Sequence, residues 1–268
     1  MDSIKQAVEL ARAAEIAPGH AARGFNEVPR SGSTNTQIHN VRLNAAHLEK
    51  SRIVAHGPSS EHGRYYDMLR TQILQEMDKK SWQFLAVTSP TGACGKSVTA
   101  CNLAISIARL PERSVLLVDL DLRRPMTANY LGIEARGGVL GVLEGREGLS
   151  SAVVQASIGP TSFLVLPGTA STPGSSEWMA SQTMGTLMQA IKRDFRSRIV
   201  IFDLPPMLMG DDVISILPRM DATLLVAGVG TTSVSDLKEC QKHLQRTPVV
   251  RVVVNKSTEM TDSYYGYY

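Results

Sequence analysis

One stretch of the chain, LAVTSPTGACGKSVTA at residues 85–100, constrains the fold more than any other. It reads as a short apolar strand, Phe84–Thr88, then a turn of small residues, then Gly-Lys-Ser opening a helix. The backbone N–H groups of such a turn and the helix dipole both favour an anion. Lys96 would reach the β- and γ-phosphates of a nucleotide, and the Ser97 hydroxyl would hold Mg²⁺. The residues expected to line this phosphate site are Thr91, Gly92, Ala93, Cys94, Gly95, Lys96, Ser97 and Val98.

The loop departs from the strict phosphate-loop template, which has a Gly five residues before the second Gly. Pro90 stands at that position, and Ala93 and Cys94 make the loop less rich in glycine than usual. Gly92 and Gly95 still supply flexibility. An ordinary strand-to-helix turn is the alternative interpretation, but the strand and the helix lie where a nucleotide loop needs them.

Composition narrows the class of protein. The chain has 268 residues, 43% of them hydrophobic and 20% charged, which is enough for one large domain. The net charge of +3 is small and Lys/Arg residues are not clustered with aromatics, so we expect no nucleic-acid partner. Cys94, Cys101 and Cys240 lack metal-ligand spacing and fit a reducing cytoplasm. No apolar run approaches the roughly 20 residues that span a bilayer, so membrane contact would need a partner.

The pattern of apolar residues divides the chain into three parts. Residues 1–44 combine a helical segment, residues 3–16, with a linker rich in Gly, Ser, Asn and Thr. This helix is either exposed to solvent or a docking helix for a partner. Residues 45–256 form the domain, and residues 257–268 form a tail that contains a Gly and lacks helical or strand periodicity.

Apolar runs alternate with helical patterns within the domain, which predicts an α/β fold with a doubly wound, mainly parallel sheet flanked by helices. The segment 46–56 is amphipathic, and Tyr66, Leu69, Ile73 and Met77 have helical spacing, with Ser59 or Ser60 as a cap. The predicted strands are Phe84–Thr88, Val115–Val118, Phe163–Leu166, Ile199–Phe202, Ala222–Ala227 and Val249–Val254, with short elements near Leu131, Leu140–Leu143 and Leu149–Val154; the predicted helices are Ser97–Arg109, Glu177–Phe195 and Val234–Leu244.

Three aspartates lie at the carboxyl ends of predicted strands, where doubly wound sheets bind their ligands. Asp119 and Asp121 follow Val115–Val118, and Asp203 follows Ile199–Phe202. Carboxylates there can hold Mg²⁺ or accept the proton of an attacking hydroxyl. Each could instead cap a helix, but three together favour a metal–phosphate site. Arg123 and Arg124 follow directly and could contact phosphate, a neighbouring subunit or solvent. Asn255, after the last strand, could either read an adenine edge or form a turn.

Three motifs carry a resemblance to a known family. TSPTGACGKS, VLLVDLDLRRP and VIFDLPP resemble the Walker A, Walker A′ and Walker B motifs of bacterial tyrosine kinases of capsule and exopolysaccharide synthesis, the CpsD/CapB-like group. The resemblance runs from about residue 48 to residue 256. The family's tyrosine-rich C-terminus also has a counterpart here, formed by Tyr264, Tyr265, Tyr267 and Tyr268.

The resemblance implies a P-loop ATPase of the deviant-Walker, partitioning-ATPase type that binds ATP·Mg²⁺ at Gly95, Lys96 and Ser97. Lys96, Asp119, Asp121 and Asp203 would be catalytic, with Asp121 or Asp119 as the base and with Ser97, Asp119 and Asp203 at the metal. The tail tyrosines would accept phosphate, offered by one subunit to the next in a ring. Implied partners are a transmembrane chain-length regulator that activates the kinase at the inner membrane, and a phosphotyrosine phosphatase.

Two departures from the family pattern bear on these expectations. Many members carry Glu-x-x-Arg-x-x-Arg on the helix before the first strand and use it in ring contacts, whereas the aligned residues here are Arg64, Asp67 and Arg70. In the phosphate loop, Ala93 and Cys94 replace the usual Gly-Glu, and Cys94 is either an inert buried thiol or one with a lowered pKa. Two other functions stay open: an ATP-dependent dimer switch of the partitioning type, and a non-catalytic nucleotide-binding adaptor of the polysaccharide machinery.

Overall fold

The computed structural model describes residues 38–57, 61–135, 137–196 and 198–257, where eight strands form a single sheet. The strand order is β1-β4-β5-β3-β6-β2-β7-β8. All neighbouring pairs are parallel except β4 and β5, which are antiparallel, so the predicted doubly wound, mainly parallel sheet is confirmed. The strands are β1 (His39–Arg42), β2 (Phe84–Thr88), β3 (Val115–Asp119), β4 (Val154–Ile158), β5 (Thr161–Leu166), β6 (Ile199–Asp203), β7 (Ala222–Gly228) and β8 (Val249–Asn255).

Helices cover both faces of this sheet. They are α1 (Ala45–Lys50), α2 (Glu61–Lys80), α3 (Lys96–Ala108), α4 (Thr127–Leu131), α5 (Val139–Leu143), α6 (Leu149–Ala152), α7 (Ser175–Ala180), α8 (Gln182–Asp194), α9 (Asp212–Ile216) and α10 (Val234–His243), with 3₁₀ turns at Met207–Met209, Leu217–Arg219 and Leu244–Arg246. No described helix is both long enough and apolar enough to cross a membrane.

The central strands β2, β3, β6 and β7 are buried along their whole length. Burial on both faces explains why they appear in the sequence as continuous apolar runs rather than alternating ones. One core cluster joins α2 and α3 to the sheet, as with Ile73 and Leu103. The other joins α8 and α9 to the opposite face, as with Leu187 and Val213. The two layers hold the carboxyl ends of β2, β3 and β6 side by side.

The predicted helix Glu177–Phe195 is wrong in one respect, because the structure has two helices there. Ser181 adopts an extended conformation with ψ 158° between α7 and α8. Its hydroxyl accepts a hydrogen bond from the Met184 backbone N–H at 3.0 Å and so caps α8. The apolar spacing continues across the break, which is why periodicity alone predicted a single helix.

The predicted linker also overlaps a strand. Residues 39–42, within the segment expected to be flexible up to residue 44, form β1 and pair in parallel with β4. β1 is a short edge strand of polar sequence, HNVR, and therefore gave no apolar signal. Residues 149–154, predicted as one short element, divide between α6 and the start of β4. The predicted helix at residues 3–16, the caps Ser59 and Ser60, and the tail from residue 258 onwards lie outside the described residues.

Candidate active site

The predicted phosphate loop leaves β2 at Ser89 and enters α3 at Lys96. Gly95 precedes the helix in the left-handed conformation, with φ 95°. A Cβ atom at this position would lie 2.2 Å from Nδ2 of Asn255, so the close approach requires glycine. Ala93 also has positive φ, 60°, a conformation that costs a non-glycine residue roughly 1–2 kcal/mol. The loop therefore keeps the expected backbone shape even though alanine replaces the usual glycine.

Lys96 lies at the centre of the site, between two strand-end carboxylates. Its Nζ is 2.7 Å from Oδ2 of Asp121 and 3.5 Å from Oδ1 of Asp203, and it also donates to the Ser97 hydroxyl at 3.2 Å. Burial alone would lower the pKa of Lys96, but the charges of Asp203 and Asp121 outweigh it and raise that pKa. The ammonium is therefore charged and held at the helix start, ready to exchange a carboxylate for a phosphate oxygen.

Asp203 is a buried carboxylate at the end of β6. Neither of its oxygens has a hydrogen-bond partner with good geometry among the described residues. Burial raises its pKa, although Lys96 and the Ser97 hydroxyl oppose that effect. A buried carboxylate with free acceptor capacity and a neighbouring hydroxyl are suitable oxygen ligands for Mg²⁺, so Asp203 and Ser97 fit the expected ion. The described residues contain no cluster of three or more His, Cys, Asp or Glu side chains that could hold a metal.

Asp119 is placed differently from the other two aspartates. Its Oδ2 accepts hydrogen bonds from the backbone of Met126 at 3.0 Å, from the backbone of Thr127 at 2.9 Å and from the Thr127 hydroxyl at 2.8 Å. Its Oδ1 accepts from the backbone of Asp121 at 3.1 Å. Burial and the nearby charge of Asp203 raise the pKa of Asp119 to about 7, against the opposing bonds from Thr127. Asp119 thus ties the β3 end to the start of α4, the capping role that was its alternative interpretation.

Asn255 lies against the phosphate loop at the end of β8. Its side-chain N–H donates to the backbone oxygen of Cys94 at 2.9 Å, and its backbone oxygen accepts from Val229 at 2.9 Å. One of the two amide N–H donors is therefore used by the loop. This position is compatible with contact to an adenine base, but the hydrogen bond in the structure is one that supports the phosphate loop.

Cys94 is buried within a cluster of hydroxyl groups on the β7–α10 connection. Its Sγ is 3.3 Å from the Thr232 hydroxyl and 3.7 Å from that of Thr231, and it donates to the backbone oxygen of Thr91 at 3.3 Å. Burial would raise the pKa of this thiol, but the bonds from Thr232, Thr91 and Thr231 outweigh it and lower the pKa. Cys94 therefore combines features of both interpretations, because it is 1% exposed and its thiol pKa is lowered.

The two arginines after Asp121 have different surroundings. Arg123 forms an ion pair with Asp212, with 2.7 Å between Nη2 and Oδ2, and donates from Nε to the Ser175 hydroxyl at 2.9 Å. Arg124 is exposed, and its backbone N–H donates to Oδ1 of Asp121 at 3.0 Å. The sequence did not predict Ser175 or Asp212, because their partner is 52 to 89 residues away and neither residue belongs to a recognised motif.

The residues aligned with the family's ring motif are partly engaged within the chain. Asp67 on α2 accepts from Arg70 at 3.1 Å, from Arg109 at 3.1 Å and from the Ser106 hydroxyl at 2.6 Å. Arg64 is exposed. Asp67 and Arg70 therefore hold α2 on α3, and Arg64 alone of the three presents an exposed charge.

Comparison with known proteins gives this site its family. Residues 85–264, more than half of the chain, match the CobQ/CobB/MinD/ParA nucleotide binding domain. The chain belongs to this family. The match begins in β2 and takes in the phosphate loop with both aspartate-bearing strand ends, so the P-loop fold expected from the sequence is confirmed and the chain carries a nucleotide-binding domain.

Curated relatives confirm the resemblance to bacterial tyrosine kinases. EpsB of Ralstonia nicotianae is 29% identical over 218 residues, which are 81% of this chain and 28% of EpsB. The tyrosine-protein kinase YwqD of Bacillus subtilis is 28% identical over 223 residues, covering 82% of this chain and 92% of YwqD. The chain thus spans less than a third of EpsB and most of YwqD.

A solved structure agrees with the nucleotide-binding fold. The kinase domain of the Escherichia coli tyrosine kinase ETK superposes with a TM-score of 0.66 and 24% identity, covering 78% of this chain and 82% of that domain. At this identity the likeness establishes the fold of the CobQ/CobB/MinD/ParA-type domain. The chemistry has to be argued from the residues of the site itself.

Proposed function

We propose that the chain is an ATP-dependent protein-tyrosine autokinase that phosphorylates its own tyrosine cluster, Tyr264, Tyr265, Tyr267 and Tyr268, and thereby regulates the chain length or export of a capsular or exopolysaccharide polymer. One observation carries the proposal: Lys96 at the start of α3 lies between Asp121 and Asp203. This arrangement supplies a cation for the phosphates, a buried carboxylate for the metal and a second carboxylate for the acceptor. Tyrosine-protein kinases among the relatives support the choice of acceptor.

The backbone N–H groups of the loop and the start of α3 would hold the β- and γ-phosphates of ATP. Mg²⁺ bound at Ser97 and Asp203 would neutralise the charge that develops on the transferred phosphoryl group. Lys96 would leave Oδ2 of Asp121 to contact phosphate. That oxygen could then accept the proton of a tyrosine hydroxyl, while the other stays fixed by the Arg124 backbone. Asp121 is favoured over Asp119 as the base because the oxygens of Asp119 already accept four hydrogen bonds.

The position of β8 supports the tail as the acceptor. β8 ends at Asn255, whose side chain contacts the phosphate loop, so the tail begins at the edge of the sheet that carries the site. Phosphates on four tyrosines would add roughly −6 to −8 charges and would separate neighbouring subunits by repulsion. We propose that one subunit in a ring phosphorylates the next, and that a transmembrane chain-length regulator and a phosphatase control this cycle.

A partitioning-type ATPase is the second candidate, because the matched family includes MinD and ParA. Such a switch would hydrolyse ATP without transferring phosphate to tyrosine. A non-catalytic adaptor is supported by one observation, the strained Ala93 in the loop. Both alternatives predict an unmodified tail.

The test is mass spectrometry of the purified chain after incubation with ATP·Mg²⁺, with and without the cytoplasmic segment of a chain-length regulator from the same organism. Lys96→Met removes the cation of the site, and Lys238→Met, on the exposed face of α10, is the matched control. The proposal predicts phosphate on the tail tyrosines in the wild type and in Lys238→Met, and none in Lys96→Met. ATP hydrolysis without phosphotyrosine would support the switch, and bound nucleotide that is neither hydrolysed nor transferred would support the adaptor.

A further inference from the structure

Three loops at the carboxyl edge of the sheet meet in one ion pair, between the partly exposed Arg123 and the buried Asp212. Arg123 approaches Asp212 with two nitrogens: Nη2 is 2.7 Å from Oδ2, and Nε is 3.3 Å from Oδ1. The Ser175 hydroxyl accepts from Nε at 2.9 Å and itself donates to Oδ1 of Asp212. Asp212 and Ser175 are fully buried or nearly so, with 2% and 0% exposure. Gly210 leaves space for the guanidinium of Arg123, because a Cβ atom at residue 210 would lie 2.8 Å from Nη2 of Arg123.

Each partner belongs to a loop that borders the proposed site. Arg123 lies two residues after Asp121, Ser175 begins α7 after β5, and Asp212 begins α9 after β6. Backbone bonds join the same loops, because Thr172 N–H donates to the backbone oxygen of Leu122 at 2.9 Å. The segment before Asp212 is fixed to the phosphate loop itself.

Two backbone hydrogen bonds make that last connection. Met207 N–H donates to the oxygen of Ser89 at 2.8 Å, and Leu208 N–H donates to the oxygen of Pro90 at 3.0 Å. The ion pair therefore links the loop that carries Asp121 to a segment that is hydrogen-bonded to the phosphate loop. Charge-assisted bidentate pairs are the geometrically most specific hydrogen bonds that a protein makes.

The turn that carries Asp121 is anchored at both of its ends. At the first end, Asp119 is held by the backbone and hydroxyl of Thr127. At the second end, the anchor is the pair between Arg123 and Asp212. Between them, Asp121 accepts from the Arg124 backbone and contacts Lys96. The loop that carries Asp121 is therefore anchored through Arg123 to Asp212, which lies 89 residues after Arg123 in sequence.

We infer that Asp212 and Ser175 are positioning residues for the proposed phosphoryl transfer: by fixing the guanidinium of Arg123 they set the carboxylate of Asp121 against the phosphate loop. The inference rests on the proposed function and adds two residues to its site. Asp212 and Ser175 act through Arg123 and have no contact of their own with the reacting groups.

The test compares identical substitutions at adjacent residues. Asp212→Asn removes the buried charge, and Asp211→Asn removes the exposed charge beside it. Steady-state ADP release and tail phosphotyrosine give the turnover rate, and the dissociation constant of ADP·Mg²⁺ gives nucleotide binding. A misplaced catalytic group lowers turnover by about 100-fold, so we expect that loss in Asp212→Asn with a dissociation constant within about threefold of wild type. Asp211→Asn should behave as the wild type does.

A double-substitution cycle separates positioning from general destabilisation. If Asp212 acts through Arg123, then Arg123→Gln with Asp212→Asn should lose no more turnover than either single variant. Ser175→Ala, which keeps the ion pair, should show a smaller loss and remains measurable if Asp212→Asn fails to fold. All assays are run at least about 15 °C below the thermal midpoint of each variant, so that a purely structural role leaves turnover unchanged.

The possible outcomes distinguish this inference from the proposed function. Wild-type turnover in Asp212→Asn and Ser175→Ala, or equal losses of turnover and of ADP affinity, would overturn the positioning role while the kinase stands. Absence of phosphotyrosine in the wild type would overturn the kinase, and the same comparison of ADP release would then decide the positioning role. Absence of both activities in the wild type would overturn both.

Discussion

Asp119 and Asp203 are register partners on the neighbouring strands β3 and β6, but only Asp119 has its oxygens satisfied by the protein. Four hydrogen bonds reach Asp119, whereas Asp203 accepts none that meets strict geometry among the described residues and contacts Lys96 only as an ion pair at 3.5 Å. Asp119 is thus tied into the framework of the fold, whereas Asp203 retains unused acceptor capacity. Two aspartates that look alike at the strand ends therefore predict opposite effects when they are substituted.

Replacing each of these aspartates by alanine should separate stability from activity. Asp119→Ala leaves four donors without their acceptor and should lower the free energy of unfolding by about 3 kcal/mol. Asp203→Ala removes one of the two carboxylates paired with Lys96, but it also removes a carboxylate whose burial is unfavourable, so that free energy should stay within about 1 kcal/mol of wild type. Tail phosphorylation should fall at least about 100-fold because the metal loses its carboxylate. Urea unfolding and phosphotyrosine mass spectrometry measure the two effects. Equal destabilisation by the two substitutions would contradict the assignment.

The raised pKa of Asp119 predicts how stability depends on pH. Its folded-state pKa is about 7 because of burial and the charge of Asp203, above the usual value of 3.8. The folded protein therefore binds a proton that the unfolded chain has released between these values. The free energy of unfolding should fall by up to about 1.4 kcal/mol per pH unit as the pH rises from 4 to 7, and the slope should flatten above 7.

The control for this pH dependence is Asp119→Asn, which cannot titrate. Unfolding in urea at pH 5, 6, 7 and 8 without nucleotide gives both curves. The difference between wild type and variant should narrow or reverse as the pH rises, because only the wild type loses its bound proton. Parallel curves would show that Asp119 does not titrate in this range.

Replacing Ala93 by glycine should stabilise the folded protein. Its φ of 60° is strained for a side chain, so Ala93→Gly should raise the free energy of unfolding by roughly 0.5 kcal/mol after the added entropy of the unfolded chain is taken into account. The matched control, Ala190→Gly within α8, should lower it by about 1 kcal/mol, since glycine is a poor helix former. Thermal or urea unfolding measures both, and destabilisation by Ala93→Gly similar to that of Ala190→Gly would contradict the strain.

Two aspartates on α2 should contribute unequally to the free energy of unfolding. Asp67→Asn breaks bonds to Arg70, Arg109 and Ser106 and should lower the free energy of unfolding by about 2 kcal/mol. Asp78→Asn breaks an exposed pair with Arg113 and should change it by less than about 1 kcal/mol. Chemical denaturation compares them. An equal effect of the two variants would mean that Asp67 is not the tie between α2 and α3.

The sequence predicted those features that depend on local pattern. Continuous apolar runs placed β2, β3 and β6, and the Gly-Lys-Ser opening of α3 placed Lys96. The break between α7 and α8 at Ser181 was missed because the apolar residues on either side of it keep the helical spacing. β1 was missed because a polar edge strand carries no apolar alternation.

Other features of the site depend on contacts between distant parts of the chain. The different roles of Asp119 and Asp203 follow from which loop supplies donors, and that is decided by the placement of Thr127. Asp212 and Ser175 meet Arg123 across three loops, which no spacing rule relates. The domain limits at residues 44 and 256 and the roles of the tail tyrosines stay predictions.

The most direct measurement of the central claim is a mixing experiment. Lys96→Met, with its tail intact, is incubated with ATP·Mg²⁺ and a protein that keeps the wild-type site but has Phe at residues 264, 265, 267 and 268. If one subunit phosphorylates another, phosphotyrosine should form on the tail of Lys96→Met in the mixture, and none should form when either protein is incubated alone. An unmodified tail in the mixture, under conditions in which the wild type alone is phosphorylated, would contradict transfer between subunits; an unmodified tail in the wild type as well would contradict the kinase.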